Sequence, residues 1–182
     1  MRDRRDAAKT RGRVLRWGFA IMVLAGAGAM AFRTPILHAA ASHTAEITIT
    51  GNKTSSGGFA FNGYQRGGMT VTVPAGWEIV VHFENADATS HSLAVLASGA
   101  HSQVSPSSTP AFAAATTGSF SSGLAKGGQQ TFSFEASKPG TYEFVCGVPG
   151  HAVSGQWDAL IVSPTAATPS VTPPGAAAIT AK

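Results

Sequence analysis

Between residues 45 and 162 the chain alternates short apolar-rich runs with clusters of turn residues. Ala45–Thr50 (AEITIT) and Met69–Val73 (MTVTV) alternate residue by residue, and the second run stops at Pro74-Ala75-Gly76. Glu78–Phe83 (EIVVHF) sets Ile79, Val81 and Phe83 on one face and Glu78, Val80 and His82 on the other. Ser92–Ala97, Thr131–Glu135, Thr141–Cys146 and Trp157–Val162 follow. A period of two is the signature of half-buried strands, so this pattern predicts at least seven strands and no amphipathic helix in the domain. Each sheet has an apolar face to bury, and a two-sheet sandwich is the natural solution. Two stretches lack the rhythm. Residues 98–128, rich in Ser, Gly, Ala and Thr, read as a long loop with room for a short helix at Ala111–Ala115. Residues 164–182 (PTAATPSVTPPGAAAITAK) show no apolar period and read as a disordered tail.

Upstream the pattern changes again. Residues 17–32 (WGFAIMVLAGAGAMAF) carry no charge, and seven basic residues lie in the sixteen before them. That arrangement leaves the N-terminus inside and sends the rest of the chain across the membrane. The run suits either a short membrane anchor or a signal segment, with Ala39-Ala40-Ala41 as a small-residue cleavage site. The expected organisation is a basic segment over 1–16, an anchor or signal segment over 17–41, a β domain over 44–163 and the tail over 164–182. Both readings of the second segment place the domain on the extracytoplasmic side: membrane-anchored if the segment is retained, secreted or periplasmic if it is cleaved.

Charge alters the picture once it is divided along the chain. The whole carries +4 and a pI near 9.6. Residues 1–33 hold eight basic groups against Asp3 and Asp6, whereas residues 44–163 hold four basic groups against seven acidic ones. The domain is therefore mildly acidic, and a basic surface for nucleic acid is excluded. One cysteine rules out an internal disulfide, and in an exported chain a lone thiol calls for burial or a metal.

That thiol, Cys146, ends a strand. It is followed by Gly147-Val148-Pro149-Gly150, then His151, and five residues later Gln156: C-x4-H-x4-Q. Far upstream, His91 opens a strand after the loop 85–90. A thiolate, two imidazoles and a weak fourth donor suit copper, since Cu(I) favours soft sulfur and Cu(II) favours nitrogen. A site acceptable to both states needs little rearrangement when an electron moves. Singly, each residue has an ordinary reading: a buried small hydrophobe, a solvated histidine, a strand-entry residue, an unremarkable glutamine. Their joint spacing on a β pattern is what carries the metal site. His38, His43, His82 and His101 are read as non-ligands.

The segments FVCGVPGHAVSGQWDALIV, FENADATSHSLAVL, FAFNG and VTVPAGW resemble the sulfocyanins, membrane-anchored blue-copper proteins of the cupredoxin superfamily related to the rusticyanins. The resemblance covers most of residues 44–163. It implies an all-β Greek-key cupredoxin sandwich behind an N-terminal membrane helix or signal segment. It implies one type-1 copper with His91, Cys146 and His151 as strong ligands, and the imidazole edge of His151 at the surface among Gly147, Val148 and Pro149. It further implies electron transport in a respiratory chain, with a terminal oxidase or an upstream cytochrome complex as partner, by a monomeric domain that is not an enzyme. The family usually places Met at the axial position, where this chain has Gln156; stellacyanin-like cupredoxins use Gln there. Ser92, or backbone N–H groups near Asn85 and Ala86, are candidates to hydrogen-bond the Cys146 sulfur. Two other classes remain: a copper store or chaperone, and a zinc-binding hydrolytic domain, for which no Glu or Asp is spaced as a general base.

Overall fold

In a computed structural model, which describes residues 37–40 and 43–181, the domain is built of strands. In chain order these are β1 (Leu37–Ala40), β2 (Thr44–Lys53), β3 (Phe59–Phe61), β4 (Thr70–Pro74), β5 (Glu78–Asn85), β6 (Ala94–Ala97), β7 (Gln129–Glu135), β8 (Gly140–Val145), β9 (Trp157–Ser163), β10 (Ser170–Thr172) and β11 (Ile179–Thr180). One sheet runs β1-β2-β5-β7, with β3 paired to the far end of β2; the other runs β11-β10-β4-β9-β8-β6. All seven strands read from the sequence are present, with ends shifted by a few residues. The anchor or signal segment at 17–32 lies outside the described residues.

The alternation read from sequence is what the sheets bury. Along β5, Ile79, Val81, Phe83 and Asn85 face in, while Glu78, Val80, His82 and Glu84 face out. Ile47 and Ile49 on β2, Val71 and Val73 on β4, Phe144 on β8 and Leu160 on β9 meet them in one core. Burying a side chain of this size contributes about 1.5–3 kcal/mol each. Asp158 breaks the pattern: it points inward from β9, fully buried, accepting a hydrogen bond from the Met69 N–H at 2.9 Å. Burial, only partly opposed by that bond, pushes its carboxyl well above the usual range.

Three expectations need correcting. Residues 164–182 do not form a structureless tail: β10 pairs antiparallel with β4, and Val171 is buried in the core. One buried apolar residue among small and polar neighbours is too little periodicity to see in sequence. The domain also begins before residue 44, because β1 pairs with β2 in the register Leu37↔Ile47. Finally, no helix forms at Ala111–Ala115; the helical turn of the insert is a short 3-10 turn at Ala100–Ser102.

The insert serves instead as a cover for β6, which would otherwise be an open sheet edge. Ala111 and Thr117 donate backbone hydrogen bonds to Val95 and Leu93, and Val95 donates to Ala115. Phe112 enters the main core against Phe134 and Tyr142, and Phe120 closes a second apolar cluster with Ala94, Leu96, Val145 and Ala152. The buried Glu143 carboxylate holds the insert by accepting from Gly99 N–H (2.8 Å) and His101 N–H (3.1 Å) and by pairing with His101 Nδ1 (2.8 Å). The His101 ring in turn stacks on Trp157 at 4.0 Å.

Candidate metal centre

Cys146 is the first residue after β8, and Gln156 the last before β9. The ladder joining these strands continues one step past their ends, with Cys146 N–H donating to the Gln156 carbonyl at 3.2 Å. The two residues are therefore antiparallel neighbours. The intervening loop folds back on itself through hydrogen bonds from His151 N–H to Val148 O (3.1 Å) and from Gln156 N–H to His151 O (3.0 Å). His91 arrives separately, on the connection that carries the chain from β5 in one sheet to β6 in the other, not from within the opposite sheet. It forms a two-residue bridge with Leu124 of the insert. Gly51 of β2 lets it approach, since a Cβ there would meet His91 Cβ at 2.8 Å.

These four side chains converge. One nitrogen of each of His91 and His151 and the Cys146 sulfur all lie within 4.8 Å of one another. Gln156 Oε1 lies 2.9 Å from His91 Nδ1 and 3.2 Å from His151 Nδ1, and Cys146 Sγ lies 3.6 Å from His151 Nδ1. The amide of Gln156 is oriented by its other end: Nε2 donates to the Ala60 carbonyl on β3 at 2.9 Å. A carbonyl only accepts, so the amide nitrogen must face Ala60 and the oxygen is left facing the imidazoles. His91, Cys146 and Gln156 are fully buried and His151 is 6% exposed. Of the four, His151 is the one that keeps some exposure. Phe59 of β3 stacks on it, with ring centroids 3.8 Å apart.

Burial dominates the electrostatics. It holds the His91 imidazole down to about 4, with the neighbouring His151 as the second cause, and it also lowers His151. Burial raises the Cys146 thiol despite hydrogen bonds from Ser92 and Val148. Both histidines are thus neutral and able to donate lone pairs near neutral pH. The thiol gives up its proton only to something that replaces it, which a bound metal does.

Around the sulfur, Ser92 N–H donates at 3.4 Å and Ser92 Oγ lies at 3.7 Å. Ser92 Oγ is itself held by donating to Phe120 O (2.6 Å) and accepting from Gly147 N–H (2.9 Å). The Asn85 and Ala86 N–H groups do not serve the sulfur; they donate to Gly128 and Gly51 carbonyls. Asn85 instead shapes the loop before His91, donating to Thr89 O and Leu124 O and accepting from Asp87 N–H. His43, His82 and His101 lie elsewhere, beside Trp77, Glu46 and Glu143 respectively.

A soft sulfur and two imidazole nitrogens around a buried point are the strong donors that a type-1 copper site would use. The sequence of the sulfocyanin (SoxE) domain family matches residues 33–172. This chain belongs to the sulfocyanin family. It is 28% identical over 139 residues to a sulfocyanin of Sulfolobus acidocaldarius, spanning 72% of this chain and 70% of that one. Its fold is similar to that of a rusticyanin variant, with a TM-score of 0.54 at 20% identity over 71% of this chain and 87% of the other. A second rusticyanin variant superposes with a TM-score of 0.50 at 22% identity, over 71% and 86%. As a sulfocyanin the chain is a blue-copper electron carrier of cupredoxin architecture with one type-1 copper as cofactor.

Three contributors to the centre were not assigned from sequence: Phe59, the Ala60 carbonyl and Asp87. The motif FAFNG drew notice only as part of the resemblance. A three-residue strand with an aromatic at its start gives no chemical signal until its pairing partner is known.

Proposed function

We propose that this sulfocyanin relays electrons in a respiratory chain on the outer face of the membrane, with copper held by His91, Cys146 and His151 and, as axial donor, by Gln156. The observation that carries the ligand assignment is the Gln156 amide, whose Nε2 is tied to Ala60 O so that Oε1 lies 2.9 and 3.2 Å from the two Nδ1 atoms. Bound copper supplies a one-electron Cu(I)/Cu(II) couple. The protein's part is to hold both imidazoles and the thiolate in one arrangement, to direct the Ser92 N–H at the sulfur, and to keep water out. A zinc hydrolase would need an open coordination position, and here the Gln156 oxygen is directed at the same point as the other donors. The store or chaperone reading draws less support, because the donors come from two separated parts of the fold that are locked by hydrogen bonds.

The location rests on the basic residues before the apolar run 17–32. No helix among the described residues is long and apolar enough to cross a membrane. A retained anchor is favoured over cleavage at Ala39–Ala41, since a cut there would detach β1 from its place beside β2. The partners proposed are a terminal oxidase or an upstream cytochrome complex, met by a monomeric domain. Val153, within the ligand loop, and Val104, whose carbonyl accepts from Gly150 N–H of that loop at 2.7 Å, are both exposed and offer apolar surface for docking.

A copper-reconstituted visible spectrum with a redox titration tests the reading. The wild type should show an intense thiolate charge-transfer band that bleaches on reduction, and Cys146→Ser should lose it. A colourless protein that retains zinc in preference to copper would overturn the proposal.

A further inference from the structure

Phe59 stands outside both buried apolar clusters of the domain. Its aromatic contacts go to the two histidines instead. It stacks on His151, with 3.8 Å between centroids and 20° between planes, and meets His91 edge-on at 5.7 Å and 73°. With one face taken by His151, the other is left for the Lys53 ammonium, which lies 5.6 Å from the ring centroid. Lys53 is the residue paired with Phe59 across the β2–β3 ladder, and it reaches on to Asp87 at 3.5 Å. Asp87 Oδ1 in turn lies 3.9 Å from His91 Nε2, a buried nitrogen with no hydrogen-bond partner among the described residues. A continuous strap, His151–Phe59–Lys53–Asp87–His91, therefore runs between the two imidazoles. The next residue along, Ala60, orients Gln156. Phe59 and Ala60 of β3 thus touch three of the four donors, while Phe61 packs in the main core against Phe83.

We propose that Phe59 is a positioning residue of the copper centre, clamping the His151 ring and keeping water from it so that the imidazole holds one orientation in both oxidation states. This rests on the ligand assignment made above. An aromatic face at van der Waals distance prevents ring rotation, and its apolar surface replaces the water that would otherwise solvate the more highly charged oxidised state. Removing the ring admits that water, which favours Cu(II) and lowers the potential. It also frees the imidazole to shift when the electron moves, which slows exchange.

The test compares the full-length wild type with Phe59→Ala, Phe59→Leu and Phe59→Tyr. In the metal-free protein, the His151 ring C–H resonances should be displaced upfield by the Phe59 ring current. That displacement should disappear in the Ala and Leu variants and persist in the Tyr variant. In the copper-loaded protein, Phe59→Ala should keep the thiolate band but shift the Cu(I)/Cu(II) ratio about tenfold toward Cu(II) at a fixed reference potential, about 59 mV for one electron. Its electron self-exchange should fall about tenfold, with Phe59→Tyr restoring both. An unchanged potential and self-exchange rate in Phe59→Ala would overturn the clamp, as would full rescue by Leu, which restores bulk without stacking. Failure of the wild type itself to show the thiolate band would instead sink the ligand assignment, and the metal-free resonances would still report on the stacking.

Discussion

At the scale of single residues, Gln156 stands where the resemblance implies a methionine, and its surroundings support the proposal that it acts as a donor. A free glutamine amide can present either end. Here the Ala60 carbonyl takes the nitrogen at 2.9 Å and leaves the oxygen to the site. An amide oxygen is harder than a thioether and stabilises Cu(II) relative to Cu(I). Gln156→Met should therefore raise the midpoint potential, by about 59 mV for each tenfold change in the Cu(I)/Cu(II) ratio. Spectroelectrochemical titration of both proteins checks this, and an unchanged or lower value would show that Gln156 does not act on the copper. The residues that converge here, His91, Cys146, His151 and Gln156, could be singled out in the sequence because a loop of fixed length carries three of them. Their supports were not, because Phe59, Asp87 and Ala60 act through ring stacking, charge and a backbone carbonyl, none of which leaves a spacing to read.

At the scale of elements, strands with long alternating runs were legible and short ones were not. β2, β5 and β9 each bury several residues on one face, and that repetition is the signal. β10 buries Val171 alone, and its strand character comes from pairing with β4 rather than from its own pattern. Removing residues 169–182 should therefore destabilise the domain by about 1.5–3 kcal/mol for the lost valine. That corresponds to a fall of several degrees in the unfolding midpoint. Thermal unfolding of the truncated protein measures it, and a midpoint equal to that of the full chain would mean that β10 adds nothing. β3 is equally short, yet it sends Phe61 into the core and sets Phe59 and Ala60 against the site.

At the scale of the whole molecule, the copper site is tied to folding through protons. The metal-free protein holds His91 near 4, against an ordinary value of 6.5, and holds His151 lower as well. Between those values the unfolded chain binds more protons than the folded one, so stability rises with pH. The His91 contribution is complete above 6.5 and is lost as the pH falls toward 4, a difference of roughly 3 kcal/mol at 1.36 kcal/mol per unit. Asp158 acts with the opposite sign: its raised carboxyl contributes stability below 3.8 that is lost as the pH rises through its folded value. Denaturant unfolding of metal-free Asp158→Asn from pH 4 to 7 should therefore show the histidine rise alone. Copper loading should steepen it, because ligated imidazoles and thiolate bind no protons in the folded state while the unfolded chain still does. A flat profile without copper would mean that the histidines are not buried as described.

The sequence by itself determined the class of fold, the strands that build the core and the residues proposed as donors to copper. Those follow from local periodicity and from the spacing of one loop, both of which are written along the chain. The tertiary structure alone decided that Phe59 stacks on His151, which way Gln156 faces, what holds the insert, and that the C-terminal residues join a sheet. Each of these depends on a contact between residues far apart in sequence, such as Ala60 with Gln156 or Glu143 with His101, and no local pattern encodes which distant partner a folded chain will supply.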